Sequence, residues 1–243
     1  MKQLAIITGT SSGIGAGLAQ TLLNENWLVL GLARRETAFE SPNYSHLMAD
    51  LSDLQALEQQ IIPAITRRIA SEYFDRVALV NNAAAIGSLK PVGDFKASEL
   101  TKIYAVNVLA PTLLMGAVAK LIPESTDLRI LNLSTGAAHR GIPGLADYAG
   151  SKAALRLSGM TLAAEFEQAG RSKAAILSYE PGIVDTEMQV AARTPSPNFP
   201  SQELFQAFYS NGSLQPVEAV MGDMLAFLQG SQGPPFSEKR FSS

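Results

Sequence analysis

Short apolar runs rich in β-branched residues alternate with longer segments of helical periodicity along the whole chain. The short runs predict six strands, at residues 3–8, 27–33, 45–49, 76–81, 128–133 and 173–179. The longer segments predict helices at 14–25, 53–71, 98–121, 148–168, 202–210 and 216–228. Alternation of this kind is typical of parallel βαβ units. The sequence therefore predicts an α/β fold, a doubly wound parallel sheet with helices on both faces.

Prolines and the C-terminal segment affect the boundaries of these elements. Pro63 and Pro111 fall inside predicted helices, which we expect them to kink or interrupt because proline has no backbone N–H. Past the sixth strand, four prolines stand at positions 181, 195, 197 and 200. The segment 183–212 is therefore predicted to be a substrate lid beside the carboxyl ends of the strands, with an ordinary surface loop as the alternative. Residues 230–243 show no clear seventh strand.

Composition narrows the class of protein. The chain has 243 residues, 47% of them hydrophobic, and contains no internal repeat or Gly/Ser linker, which indicates a single domain over 1–243. A net charge of −3 without a basic run argues against nucleic acid or a membrane surface as a partner. The absence of cysteine excludes disulfides and thiolate chemistry, and two histidines alone cannot form a metal site. With no signal peptide or membrane span predicted, we expect a cytoplasmic protein.

A glycine-rich turn joins the first predicted strand to the first helix, in the order Thr8-Gly9-x-x-x-Gly13-x-Gly15. Glycine at these positions permits a tight turn, close approach of backbone amides to a pyrophosphate, and close packing of helix on strand. The helix N-terminus adds a positive dipole end. The candidate dinucleotide-binding residues of this Rossmann-type turn are Gly9, Thr10, Ser11, Ser12, Gly13, Ile14 and Gly15. Taken alone, a plain turn is the alternative.

The residues after the second and third strands bear on the choice of coenzyme. Arg34 stands 19 positions after Gly15, where dinucleotide-binding folds contact the adenosine ribose. A guanidinium there favours the 2′-phosphate of NADP(H) over the free ribose hydroxyl of NAD, although Glu36 offsets part of its charge. Asp50 and Leu51 are predicted to flank the adenine, with a solvated or capping acid as the alternative.

Tyr148 and Lys152 form a candidate catalytic pair, because residues four apart on the predicted helix share one face. Lowering the pKa of a tyrosine from about 10 to about 7 costs roughly 4 kcal/mol. A cation at ~4 Å in an effective dielectric of ~20 supplies about that much. We therefore expect Lys152 to lower the pKa of Tyr148, which would protonate a carbonyl oxygen as hydride arrives from a nicotinamide. Ser134 and Thr135, at the end of the fifth strand, offer hydroxyls to orient the carbonyl.

Together these motifs resemble those of the short-chain dehydrogenase/reductase family. The matching segments run in family order: Thr8-Gly9-x-x-x-Gly13-x-Gly15, Asn81-Asn82-Ala83, Asn107, Ser134-Thr135, Tyr148-x-x-x-Lys152 and Pro181-Gly182-Ile183-x-x-Thr186. Two positions depart from the family pattern. The family's serine, 13 residues before the tyrosine, is Thr135 here, so Thr135 is the predicted orienting hydroxyl and Ser134 the alternative. Ala84 stands where the family has a glycine after Asn-Asn-Ala.

The resemblance implies a role for each matching residue. Tyr148 would be the general acid/base, while Lys152 would hold the nicotinamide ribose and lower the tyrosine pKa. Asn107 would organise a proton-relay water. Further coenzyme contacts are implied for Asn82, Ala83, Pro181, Gly182, Ile183 and Thr186.

Within the family, the runs 134–138 and 181–189 are similar to sepiapterin reductases and bacterial benzil reductases, which reduce ketones or vicinal diketones with NADPH. The resemblance thus implies an NADPH-dependent carbonyl reductase, a homodimer or homotetramer with a small-molecule carbonyl substrate. Sepiapterin enzymes anchor their pterin with an aspartate near the C-terminus, and no aspartate follows Asp223 here, which favours a diketone. A non-catalytic NADP-binding redox sensor is the alternative, and the intact Tyr148/Lys152 pair argues against it.

Two further polar residues have open interpretations. Glu180, directly before Pro181-Gly182, either faces the substrate or makes a local cap or ion pair. His139 lies between the fifth strand and the catalytic helix, and a solvated position is favoured over the substrate pocket.

Overall fold

A seven-stranded parallel sheet forms the centre of the protein. The structure, a computed structural model, describes residues 1–194, 196–231 and 233–242. The strands are β1 Gln3–Thr8, β2 Leu28–Ala33, β3 Tyr44–Met48, β4 Arg76–Asn81, β5 Asp127–Leu133, β6 Ala174–Glu180 and β7 Phe236–Arg240. Their order in the sheet is β3-β2-β1-β4-β5-β6-β7, and every neighbouring pair is parallel.

Helices cover both faces of this sheet, which confirms the predicted doubly wound α/β fold. They are α1 Gly13–Asn24, α2 Leu54–Ala56, α3 Ile62–Ala70, α4 Ala97–Tyr104, α5 Ala110–Leu121, α6 Ala146–Gln168, α7 Glu187–Arg193, α8 Gln202–Ser210 and α9 Met221–Gln229. Alternate residues of β1 point to opposite faces. Leu4 and Ile6 pack in the core beneath α3, α5 and α6, whereas Ala5 and Ile7 pack in the core beneath α1 and α9.

The two internal prolines are accommodated by π turns. Leu57–Ile61 and Ala105–Leu109 are π-helical, and each directly precedes the helical segment that carries Pro63 or Pro111 near its start. Proline cannot donate to the carbonyl four residues earlier, and a π turn shifts the bonding pattern to five residues. The helices therefore continue past both prolines instead of breaking there.

Two elements were not predicted. β7 is an edge strand in which Phe236 is the one large apolar residue and the last three residues are exposed, so it lacks an alternating apolar pattern. Its register, from Ile176↔Phe236 to Glu180↔Arg240, is fixed by main-chain pairing with β6. The second, α7, is a seven-residue helix inside the proline-rich segment 183–212, which the sequence presented as a loop.

The strand order places a crevice above β1 and β4. β1 pairs with β2 on one side and with β4 on the other, so the chain changes direction across the sheet at this point. In open α/β sheets, ligands bind outside the carboxyl ends of the strands where this change occurs. The glycine turn follows β1, and Asn82 follows β4, at that edge.

One helical stretch, Ala97–Leu121, has the length and apolar composition that a membrane span would need. Leu114, Met115 and Val118 in this stretch lie in the core beneath the sheet, which accounts for its apolar character.

Candidate active site

Close packing around the glycine turn explains its three glycines. Gly9 and Gly13 have φ values of +78° and +57°, in the left-handed region that side chains disfavour. Gly15 has no positive φ, but a Cβ there would lie 2.3 Å from the Gly9 carbonyl oxygen and 2.4 Å from Asn82 Nδ2. A side chain at position 15 would therefore overlap the Gly9 backbone and the Asn82 side chain.

The N-terminus of α1 faces the cleft with its amides available. Ser12 is the N-cap residue and makes no side-chain capping bond, while Gly13 and Ile14 line the cleft. The first amides of a helix have no partner within the helix and attract anions. This cradle of main-chain amides, built on residues without side chains at Gly13 and Gly15, fits the pyrophosphate of a dinucleotide.

Asn82 and Thr8 fix this turn to the end of β4. Asn82 Nδ2 donates to the carbonyl oxygens of Thr8 and Gly9, at 2.9 and 3.3 Å. In return, Thr8 Oγ1 accepts the main-chain N–H groups of Asn82 and Ala83, both at 3.0 Å. Four hydrogen bonds therefore connect the loop after β1 with the loop after β4 at the base of the cleft.

One cleft of about 490 Å³ brings most of the predicted site together. The predicted residues that line it are Gly9, Ser11, Ser12, Gly13, Ile14, Arg34, Asp50, Leu51, Asn82, Ala83, Ser134, Thr135, Tyr148, Lys152, Pro181, Gly182, Ile183 and Thr186. Three predicted residues do not line it: Thr10, Gly15 and Asn107. Thr10 is buried and shares a 3.1 Å hydrogen bond with the Tyr44 hydroxyl, so its side chain ties the turn to β3.

Tyr148 and Lys152 lie on the first turns of α6 and both face the cleft. Lys152 is buried, and its Nζ donates a 2.7 Å hydrogen bond to the main-chain oxygen of Leu133 at the end of β5. The Thr135 side chain lies close enough to the Tyr148 phenol to lower the pKa of that phenol. The helix therefore delivers a phenol and an ammonium to one wall, each positioned by the end of the same strand.

Burial sets the pKa of both groups. It raises the pKa of Tyr148 to about 12, against a smaller lowering from the Thr135 hydrogen bond. It lowers the pKa of Lys152 to about 8. The expectation that Lys152 brings the pKa of Tyr148 towards 7 is therefore wrong for this structure, because desolvation of the phenol dominates and the ammonium is directed at Leu133. At neutral pH the phenol is protonated.

The two candidate orienting hydroxyls differ in their surroundings. Thr135 Oγ1 contacts the Tyr148 hydroxyl and also accepts the Ala137 N–H at 3.3 Å. Ser134 Oγ is buried and makes no hydrogen bond within the described residues. The geometry therefore favours Thr135 over Ser134 as the partner of the tyrosine.

Asn107 lies behind the wall instead of in it. Its Oδ1 accepts the Ala85 N–H at 2.8 Å, and its Nδ2 donates to the Ala85 carbonyl at 2.9 Å and to Ser151 Oγ at 3.0 Å. It sits in the π turn that precedes Pro111. Through these bonds Asn107 joins the loop after β4 to Ser151 of α6, the residue before Lys152. The role of Asn107 in proton relay stays a prediction.

Charged residues surround the end of the cleft where the adenosine would lie. Arg34 and Arg35 both line it, with Asp50. Hydrogen bonds from the Ser52 amide and hydroxyl hold the pKa of Asp50 below its ordinary value, and the nearby Arg34 charge adds to this. No role was predicted for Arg35. In the structure its Nη2 lies 3.3 Å from Ser12 Oγ and 3.3 Å from Glu187 Oε2.

An apolar wall closes the opposite end. Leu145, Ala192, Phe199 and Phe205 form a small buried cluster in which residues of 183–212 pack near the catalytic helix, and Tyr148 packs against it. The side chains of this wall that line the cleft are Ile86, Ile142, Leu145, Phe205 and Phe208. Of the three prolines within the predicted lid 183–212, Pro195 lies outside the described residues. The wall was not predicted, although the phenylalanines at 199, 205 and 208 are the sequence feature that indicates it.

Comparisons with known proteins identify the family of the chain. A family model described as short chain dehydrogenase matches residues 3–196. The chain is 30% identical over 230 residues to a benzil reductase ((S)-benzoin forming) of Bacillus subtilis (strain 168), with 93% of each chain covered. It is 28% identical over 249 residues to the sepiapterin reductase of Bos taurus, covering 95% of this chain and 91% of that one. A solved short-chain dehydrogenase/reductase structure from Saccharomyces cerevisiae matches with a TM-score of 0.80 and 23% identity, covering 98% of this chain and 96% of that one.

The fold and the site thus define a nicotinamide-dependent oxidoreductase. The chain belongs to the short-chain dehydrogenase family, and its relatives include benzil and sepiapterin reductases.

Proposed function

We propose that this protein is an NADPH-dependent carbonyl reductase that acts on ketones or vicinal diketones. The observation that carries the proposal is the placement of Tyr148, Thr135 and Lys152 on one wall of a cleft that begins at the glycine turn. The names of the benzil and sepiapterin reductases to which the chain is similar support the same class of reaction.

The protonation states of Tyr148 and Lys152 suit the reduction of a carbonyl group. With its pKa raised to about 12, the Tyr148 phenol carries its proton at neutral pH and can donate it to a carbonyl oxygen. Thr135 Oγ1 would hold that oxygen beside the phenol. A bound nicotinamide coenzyme supplies the hydride. Lys152, still charged below its pKa of about 8, would hold the ribose beside it, and the apolar wall excludes water from the far side.

The assay of this proposal follows the absorbance of reduced nicotinamide with benzil, sepiapterin and simple ketones. Tyr148→Phe is expected to lower kcat by roughly 100- to 10,000-fold, the range of general acid catalysis, while coenzyme binding is retained. Tyr73→Phe, at an exposed tyrosine far from the cleft, is the matched control and should keep full activity. Coenzyme binding without turnover of any carbonyl would instead support the redox sensor, and an active Tyr148→Phe enzyme would remove the phenol from its assigned role.

The preference for NADPH rests on Arg34. Its guanidinium lines the cleft at the end of β2, where it would meet a 2′-phosphate. Arg34→Ala is expected to weaken NADPH binding by roughly 10- to 100-fold, as for a charged hydrogen bond, and NADH binding little. Arg67→Ala, at an exposed arginine of α3, is the control. Equal losses for both coenzymes, measured by fluorescence titration, would contradict the phosphate contact.

The proposal includes a cytoplasmic homodimer or homotetramer. The cytoplasmic location is proposed because the coenzyme needs no membrane to reach the cleft. Sedimentation of the purified protein at several concentrations measures the number of subunits.

A further inference from the structure

A second recess adjoins the cleft beyond the catalytic wall. Its volume is about 480 Å³, and it shares Gly136, Arg140, Glu180 and Arg240 with the cleft. Gly136 directly follows Thr135, so the recess begins next to the orienting hydroxyl. A substrate whose carbonyl lies against Thr135 and Tyr148 would extend its remaining atoms into this recess.

Glu180 is the polar group best placed to contact those atoms. It is the last residue of β6, and its side chain is only 14% exposed, so its carboxylate sits mostly out of water. His139 Nε2 lies 2.7 Å from Oε1. Arg240 Nε is 3.9 Å from Oε2, which is beyond hydrogen-bond distance, and no hydrogen bond to Oε2 occurs within the described residues.

The second carboxylate oxygen therefore has room and capacity to accept. A partly buried carboxylate has about four lone-pair sites and is costly to leave unsatisfied. A Cβ built on Gly136 would lie 3.6 Å from Oε2 and 3.8 Å from Arg240 Nη2, so the glycine adds no side chain of its own beside that oxygen. A hydrogen-bond donor on the substrate would fill that space.

The charges around the recess select the kind of donor. Arg140, Lys239 and Arg240 line it along with Glu180 and Glu238, so both signs of charge face the same volume. A substrate anion would be repelled by the two carboxylates, and a substrate cation by the three basic side chains. A neutral O–H or N–H group satisfies the carboxylate without either penalty.

We propose that Glu180 is a specificity-determining residue that accepts a hydrogen bond from a neutral hydroxyl or N–H group of the substrate, close to the reacting carbonyl. This inference rests on the proposed carbonyl reduction and names its substrate class: neutral ketones that carry a hydrogen-bond donor. His139 acts as a positioning residue, since its Nε2 lies 2.7 Å from Oε1 and holds the carboxylate at the end of β6.

The test compares phenacyl alcohol with its methyl ether, which has the same ketone but no donor. The wild-type protein is expected to favour the alcohol in kcat/KM by about tenfold or more, the usual effect of a hydrogen bond to a charged group. Benzoylformate, an anion, and phenacyltrimethylammonium, a cation, should both be poorer substrates than the alcohol. Glu180→Ala should bring the alcohol-to-ether ratio close to one, mainly through KM for the alcohol.

Two further variants keep the test decisive. Glu180→Gln retains an acceptor oxygen in nearly the same shape, so it should fold, bind coenzyme and keep only part of the preference. Glu238→Gln is the matched control, because Arg156 already binds both oxygens of that carboxylate at the edge of the recess. It should leave the preference unchanged.

The outcomes separate the two proposals. If the wild-type protein reduces no ketone in the panel, the proposed function fails. Reduction of alcohol and ether at equal rates, or an alcohol preference that survives both Glu180 substitutions, overturns the inference and leaves carbonyl reduction intact.

Discussion

At the scale of single residues, burial sets the protonation of Lys152 and couples its charge to stability. The pKa of this lysine falls from 10.5 to about 8, so the folded protein holds the proton less tightly than the unfolded chain does. Below pH 8 both states carry the charge and the folded state bears the full desolvation cost, about 3 kcal/mol. As the pH rises from 8 to 10.5, the folded protein loses the proton first and this cost disappears.

Lys152→Met should therefore change stability in a pH-dependent way. The variant removes the buried charge but leaves the Leu133 carbonyl without its Lys152 donor, which costs about 1–3 kcal/mol, so the net change at neutral pH is small. Relative to wild type, the variant should lose about 3 kcal/mol of unfolding free energy between pH 7 and pH 10.5. Urea unfolding at a series of pH values measures this. Lys120→Met, at an exposed lysine of α5, should show a difference that does not vary with pH, and the same flat result for Lys152→Met would contradict the prediction.

The pKa of the Tyr148 phenol and the contacts of the Glu180 carboxylate also depend on residues from other parts of the chain. The sequence placed Tyr148 and Lys152 four residues apart, which any helix converts into a shared face. It did not reveal which neighbour each charge would meet, because Leu133, Thr135, His139 and Arg240 come from other elements. Distances of a few ångströms between elements decide these pKa shifts and hydrogen bonds.

At the scale of secondary-structure elements, the contact between the glycine turn and β4 determines whether the coenzyme cradle forms. Gly15 lies in the first turn of α1, where its Cα hydrogens face the Gly9 carbonyl and the Asn82 amide. A methyl group has no room there, so α1 would have to move away from the sheet.

Gly15→Ala is expected to lower the unfolding free energy by about 1–3 kcal/mol or more and to weaken coenzyme binding by displacing the N-terminal amides of α1. Gly116→Ala is the matched control, since that glycine is exposed in α5 and a Cβ there would meet no atom within 4 Å. The control should gain roughly 0.5–1 kcal/mol from helix propensity. Thermal unfolding with and without NADPH measures both effects, and a Gly15→Ala protein with unchanged affinity would argue against the cradle.

The elements themselves were predicted to different degrees. β1, β4 and α8 fall within their predicted limits because their apolar periodicity is strong and their ends carry turn or capping residues. β7 and α7 were missed because a polar edge strand and a short helix bury too little apolar surface to leave a pattern. The π turns before Pro63 and Pro111 were not predicted, although the missing N–H of each proline accounts for them.

At the scale of the whole molecule, two buried arginines join the sheet to the C-terminal part of the chain. Arg76, at the start of β4, makes a 2.6 Å ion pair with Asp127 and donates to the carbonyl oxygens of Leu228 and Gly230 at 2.8 and 3.0 Å. Arg129 pairs with Asp127, two residues earlier on β5, at 2.8 Å. The network therefore satisfies the end of α9 just before the chain leads into β7.

Arg76→Met should lower the unfolding free energy by about 3–5 kcal/mol, the usual cost of removing one partner from a buried ion pair, because Asp127 keeps only Arg129 and the carbonyls of Leu228 and Gly230 lose the Arg76 donor. Arg35→Met removes the exposed pair with Glu187 and should cost about 1 kcal/mol or less. Denaturant unfolding of the two variants measures the contrast. A small loss for Arg76→Met would mean that Arg129 alone supports this end of the sheet.

The sequence by itself determined the features that depend on local periodicity and on the spacing of residues within short motifs. The βα alternation, the glycines of the first turn, the Tyr148/Lys152 pair and the family all follow from residues close together in the chain. Tertiary structure alone decided the raised pKa of Tyr148, the lowered pKa of Lys152, the scaffold position of Asn107 and the contact of Glu180 with His139. The physical reason is that desolvation and hydrogen-bond partners depend on atoms brought together from distant segments, and neither leaves a trace in local sequence pattern.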